Sequence, residues 1–229
     1  MTQHQREHAL NASESKIIDL GSHNALKNDN ARKGRLNQSS AMWAQFCALH
    51  SIAPKYARAH IDLIDIPAAS IGSYKSKALQ IIDRPESLLL MGKAGRGKTY
   101  FMHALMRALF ELKGLALHHL RFLRSVDLDR QLLESMDRYR DTSYLIHTLS
   151  DVPFLFIDDF GLERATNKAE RDYYDLIDRR TSHERVTVYS TNLTEEKIKS
   201  IFGERIDSRL KECAVIHFDG PDLRQGGRL

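Results

Sequence analysis

Leu88-Leu-Leu-Met91-Gly92-Lys-Ala-Gly95-Arg-Gly97-Lys98-Thr99 is the stretch that decides how this chain folds. Four apolar residues run straight into a turn holding three glycines. The turn opens a segment in which Phe101, Met102, Leu105, Met106 and Leu109 recur at helical spacing, with Gly114 as its stop. A buried strand, a glycine turn and a helix in that order fit the pattern G-x-x-x-x-G-K-[ST]. Glycines allow successive backbone N–H groups to curl inward around phosphate oxygens, where a Cβ would obstruct them. The helix amino terminus adds its positive dipole end. The residues expected to cradle a nucleotide are Gly92, Lys93, Ala94, Gly95, Arg96, Gly97, Lys98, Thr99 and Tyr100. Lys98 would reach the β- and γ-phosphates, and the Thr99 hydroxyl would be a Mg2+ ligand.

Working outward, the rhythm is strand and helix in alternation. A helix over 74–83 precedes the first strand, and a second strand is expected at 115–120. A charged helical stretch follows from Arg124 to about Arg140, then the apolar run Val152-Pro-Phe-Leu-Phe-Ile157 as a buried strand. Another helix, about 168–180, leads to the strand Val186-Thr-Val-Tyr-Ser190. Such alternation implies an α/β fold, a three-layer sandwich with a parallel sheet covered on both faces. Pro153 lacks an N–H and is tolerable only near the start of its strand.

The strand at 152–157 ends in Asp158-Asp159. A nucleotide's hydrated Mg2+ needs a carboxylate at a neighbouring strand tip, which Asp158 supplies; Asp159 is then the base that orients or activates water. Ser190-Thr191-Asn192 closes the next strand with polar groups, and Asn192 is placed to hydrogen-bond the attacking water or the γ-phosphate. Thr194, ahead of Glu195 and Glu196, would cap the following helix without Asn192. In Gly203-Glu-Arg205-Ile-Asp-Ser-Arg209-Leu210, two arginines four apart share one helical face and suit phosphate recognition, in this subunit or a neighbour. An ordinary solvated Arg–Glu face is the competing reading.

Composition sets the limits. In 229 residues, 34 Lys and Arg against 30 Asp and Glu leave +4, which permits a nucleic-acid partner without demanding one. No apolar run nears the roughly 18–20 residues that span a bilayer, so no membrane role is expected. Met1 to Leu10 has no apolar core and does not read as a signal peptide. Two cysteines, Cys47 and Cys213, exclude a disulfide scaffold and fit the cytoplasm. Residues 1–38 show no periodicity and read as a mobile tail. At 40–50, Met42, Trp43, Phe46, Cys47 and Leu49 form a short amphipathic helix that must dock, either on its own domain or on a partner. The expected division is 1–50, a tail and partner-binding helix, and 51–229, the catalytic domain.

Taken in order, GKAGRGKT, FLFIDDFG, YSTNLT, FGERIDSRL and the terminal FDGPDLR resemble the AAA+ ATPases of the DnaC/DnaI helicase-loader group and their relatives, the IstB-type transposition ATPases. The similarity runs from Ile52 to Arg224. It implies an AAA+ P-loop NTPase fold preceded by a small, partly disordered helical region. It implies Lys98 and Thr99 as Walker A, Asp158 as the Walker B acid and Asp159 in the catalytic-acid place. Asn192 resembles sensor 1, Arg224 the sensor 2 arginine, and Arg209 an arginine finger acting in trans with Arg205 as companion. The resemblance also implies that about 122–149 helps hold single-stranded DNA, with Arg124, Arg130, Arg138 and Arg140 as phosphate contacts. Asp127, Asp129, Glu134, Asp137 and Asp141 interleave them, the mark of a merely solvated face. Asp159 stands where many AAA+ proteins carry Glu, and Lys93-Ala94 and Arg96 depart from the usual loop.

The implied function is an ATP- and Mg2+-dependent loader of a replicative DNA helicase, a slow switch binding single-stranded DNA weakly and assembling side by side. The alternative is an IstB-like ATPase regulating a transposase. A small-molecule P-loop kinase would leave GERIDSRL and Arg224 unexplained. His183-Glu184 lacks the second histidine of a zinc protease. Cys47-x-x-His50 and Cys213-x-x-x-His217 lie too far apart in sequence to be read as a zinc site.

Overall fold

The computed structural model describes residues 40–64, 67–68, 72–161 and 167–223. The tail expected over 1–38 and the sensor 2 position, Arg224, lie outside these residues. The chain divides into two units, Met1–Gln45 and Phe46–Leu229. Helix α1, residues 40–49, crosses that division. Its Phe46 and Cys47 are buried within the second unit, whereas Leu49 is exposed.

In the second unit, α2 (Pro54–Ala57) begins with proline at its first turn, where no N–H is needed. A 3-10 turn (Ile61–Ile64) and the two-residue pair β1 (Pro67–Ala68) and β2 (Gly72–Ser73) lead to α3 (Tyr74–Asp83). The Ser73 side chain caps α3 by accepting from Ser76 N–H. Then come β3 (Leu88–Met91), α4 (Lys98–Lys113), β4 (Leu120–Arg124), α5 (Ser125–Tyr139) and α6 (Ser143–Asp151). They are followed by β5 (Phe154–Asp158), α7 (Asn167–Ser182), β6 (Val186–Thr191), α8 (Glu195–Leu210) and β7 (Ala214–His217).

The five long strands form one parallel sheet in the order β4-β5-β6-β3-β7. One face is covered by α5 to α8: Leu89, Met91, Leu155, Ile157 and Tyr189 pack with Leu128, Leu149, Leu176, Ile177 and Phe202. Alternation along the strands turns Leu88, Leu90, Phe156 and Val188 to the opposite face, all fully buried. There α4 packs with α2, α3 and the 3-10 turn. The expected three-layer α/β sandwich is therefore the observed architecture. Among the described residues no helix is long and apolar enough to cross a membrane.

Two expectations shift. The second strand is not 115–120 but β4, because Leu117-His118-His119 form a 3-10 turn and pairing begins at Leu120 opposite Phe154. Strand β7 has no counterpart in the sequence reading; its burial alternates weakly, and only Ile216 is fully buried. Pro153 falls just ahead of β5, where its missing N–H removes no ladder bond. Helix α8 is broken at Gly203 (φ 76°, ψ 175°), so the two arginines belong to a second segment with its own direction.

Arg180, read in sequence only as the end of a helix, holds α6 against β6. It is 1% exposed. Its guanidinium donates to Leu149 O at 2.6 Å, Val152 O at 2.7 Å, Val186 O at 2.6 Å and Thr187 Oγ1 at 2.7 Å. Burial draws its pKa down to about 10, still cationic at neutral pH. Arg180→Met strands those carbonyls without a donor, so urea unfolding should show stability reduced by about 3 kcal/mol with the m-value unchanged.

Candidate nucleotide site

The glycine turn joins β3 to α4, and its backbone needs what glycine permits: φ is +80° at Gly95 and +95° at Gly97. A Cβ on Gly95 would collide with the Asp222 carboxylate. The carboxy-terminal segment lies on this turn: Leu223 N–H donates to Gly95 O at 2.9 Å, and Arg96 donates to Asp219 O at 3.0 Å.

Lys98 is only 5% exposed. Its ammonium donates to Gly92 O (2.6 Å), Lys93 O (3.0 Å) and Asn192 Oδ1 (2.7 Å). The three acceptors spread its donors over the turn and the tip of β6, which keeps the charge at the turn's mouth. Thr99 Oγ1 donates to Asp158 Oδ1 at 3.1 Å. Burial pushes the Asp158 carboxyl pKa up, opposed by hydrogen bonds from Ser190, Thr99 and Asp159 N–H and by the Lys98 charge. Asp159 is half-buried, and Asn192 Nδ2 donates to its Oδ1 at 3.4 Å.

Consecutive residues of an extended strand point to opposite faces, yet Asp158 and Asp159 line the same cavity. The backbone achieves this by turning left-handed at Asp159, φ +56°. Asp tolerates that region better than most residues, though the conformation still costs about 1 kcal/mol or more. The cavity, about 180 Å³, is lined by Tyr56, the turn from Ala94 to Tyr100, Arg124, Asp158, Asp159 and Asn192.

The fold thus gathers Lys98, Thr99, Tyr100, Asp158, Asp159 and Asn192. Gly92 and Lys93 contribute carbonyls to Lys98 and line a neighbouring hollow. Arg205 and Arg209 do not reach this cavity. Arg205 lies over the Tyr174 ring at 5.8 Å, and Arg209 pairs with Asp178 (2.7 Å) and Glu212 (2.9 Å). Arg124, expected on a DNA surface, lines the nucleotide cavity, because its strand position is in register with Asp158. It chelates Asp127 at 2.7 and 3.1 Å, which holds its pKa above the usual value. Tyr56 and Ser190 went unread; the polar run Ser190-Thr191-Asn192 carried the signal for the second.

The Thr99 hydroxyl and Asp158 carboxylate are adjacent oxygen donors, of the kind Mg2+ takes beside nucleotide phosphates and waters, so the residues fit that ion. A parallel sheet in this order, with the phosphate turn, paired acids and strand-end asparagine on three adjacent strands, defines a P-loop NTPase of the AAA+ class. A family model for the IstB-like ATP binding protein matches residues 37–224, and the chain belongs to that family. It is 30% identical over 131 residues to the replicative helicase loader DnaC of Buchnera aphidicola, covering 55% of this chain and 50% of that protein. Against DnaC of Escherichia coli K12 the identity is 28% over 142 residues, 59% and 56% of the two chains. The chain thus spans about half the length of the curated relatives it matches. Among solved structures, a DnaC helicase loader superposes with TM-score 0.62 at 24% identity, covering 73% of this chain and all of the other. Domain III of the Thermotoga maritima replication initiation protein DnaA gives 0.63 at 18%, covering 74% and 69%. These likenesses establish the AAA+ fold.

Lys98→Ala removes the cation at the turn's mouth. It should abolish ATP binding by calorimetry while leaving the circular dichroism of the fold unchanged.

Proposed function

We propose that this chain is an ATPase that loads or remodels a replicative DNA helicase in the cytoplasm, acting as a switch that assembles on ATP and single-stranded DNA. The observation that carries the reading is the hydrogen-bonded path from Lys98 through Asn192 to Asp159. It joins the group that would bind the γ-phosphate to the group that would orient the attacking water. Similarity to proteins named as replicative helicase loaders supplies the partner class.

Mg2+, held by Thr99 and Asp158, would neutralise phosphate charge. Asp159 then accepts a proton from water or orients it, and Asn192 fixes its direction. Tyr56 and Tyr100 also line the cavity. Arg224 would serve as the sensor 2 cation. Arg209 would complete the site of a neighbouring subunit, with Arg205 beside it. Its absence from its own cavity and its 36% exposure support a role in trans.

For DNA, α5 divides the expected arginines. Arg124 and Arg130 share Asp127, whereas Arg138 lies about 12 Å further along the helix than Arg130, with Arg140 at its end. Tyr139 and Tyr144, 69% and 84% exposed, stand beside this distal pair and offer faces on which bases stack. Binding should therefore be weak, salt-sensitive and concentrated at the α5–α6 turn. Membership of the IstB-like family supports a second reading, the same engine regulating a DNA transposase.

Arg209→Ala and Lys98→Ala proteins should each be inactive alone, and mixing them should restore phosphate release, since each supplies what the other's interface lacks. Failure of the mixture in a band where both co-assemble would remove the trans role. The ATP-bound chain, offered the host's replicative helicase and its transposases in pull-downs, should retain the helicase; retention of a transposase instead selects the second reading.

A further inference from the structure

Strand β6 reads the tip of β5 residue by residue. Ser190 Oγ–H donates a short hydrogen bond to Asp158 Oδ1, and Ser190 Oγ accepts from Asp159 N–H at 3.0 Å. Ser190 O accepts from Phe160 N–H at 2.7 Å. Thr191 Oγ1 donates to Phe160 O at 2.7 Å and accepts from Leu193 N–H at 3.1 Å. Asn192 then reaches Asp159 Oδ1. Ser190 is fully buried. Its hydroxyl oxygen touches both acidic residues.

We propose that Ser190 is a positioning residue for ATP hydrolysis, its hydroxyl fixing the Asp158 carboxylate and the left-handed turn at Asp159 so that both acids face one cavity. The inference rests on the ATPase reading above and names a residue beyond the sensor asparagine. The geometry makes the hydroxyl specific. An alanine would keep the strand and its ladder but lose both contacts, leaving Asp158 to the Thr99 hydroxyl and removing the serine acceptor of Asp159 N–H. A threonine retains the oxygen on a β-branched side chain that suits a strand. Groups that orient a metal's ligands, without binding the metal themselves, change its affinity when removed.

The test uses the full chain with Ser190→Ala and Ser190→Thr. Mn2+ binding in the presence of ATP is read by electron paramagnetic resonance, ATP affinity is measured in EDTA, and kcat, KM and Tm complete the set. Ser190→Ala should bind ATP in EDTA as wild type does, yet hold Mn2+ about ten-fold more weakly. Its kcat should fall by about the same factor with KM little changed, and Ser190→Thr should recover most of both losses. Wild-type Mn2+ affinity and kcat in the alanine variant would overturn the proposal. So would a loss of EDTA-insensitive ATP binding that tracks a lower Tm, because Ser190 would then only support the fold. If wild type itself binds no Mn2+ with ATP, the ATPase reading fails first.

Discussion

Everything in this site depends on keeping one carboxylate ionised in a buried place. Asp158 is 4% exposed, and burial pushes its pKa up, against the charged form. The hydroxyls of Thr99 and Ser190, the Asp159 N–H and the nearby Lys98 charge oppose that tendency. They come from three elements, α4, β6 and the end of β5. The sheet order follows as a requirement: only with β5 beside β6, and β6 beside β3, do these groups meet at one edge. The register places Met91 beside Thr191, and Arg124 beside Asp158, so the phosphate turn and the acids leave the sheet at the same level.

The second constraint is directional. Adjacent acids on a strand diverge, and the left-handed residue at Asp159 corrects this at an energetic cost. The cost is offset by the hydrogen bonds that Ser190 and Thr191 extend to residues 158–160. A short triplet on β6 thereby holds both the fold of the strand tip and the direction of its chemistry. Arg180 does comparable work at the other end of β6, tying it to α6 through backbone carbonyls. The nucleotide edge and the α5–α6 insertion are thus attached to opposite ends of one rigid strand.

Much of this was legible in the linear sequence because it is local. The run from Leu88 to Thr99 encodes strand, turn and helix through contiguous apolar residues, glycines and a helical stripe. The acids of β5, and Asn192, were legible because charged or polar residues at the end of a buried strand need a reason to be there. The resemblance, read from Ile52 to Arg224, falls within the region that the family model matches, residues 37–224. Other features were hidden. Strand β4 was placed early because Leu115 and Leu117 are apolar, while pairing partners, not hydropathy, set its start. Strand β7 escaped because a four-residue edge strand carries little periodicity.

By itself, then, the sequence determined the class of fold and the residue types at the nucleotide edge, since glycine φ freedom, helical periodicity and strand-end polarity are properties of neighbours along the chain. Tertiary structure alone decided which groups share a proton, a charge or an orientation. It paired Arg209 with Asp178 of α7. It brought Arg124, read as a DNA contact, to the nucleotide cavity, and it made Ser190 a common partner of two acids. Each of these is a contact between residues roughly 30 or more apart in sequence, or a consequence of sheet register, and such distances are closed only by the packed sheet.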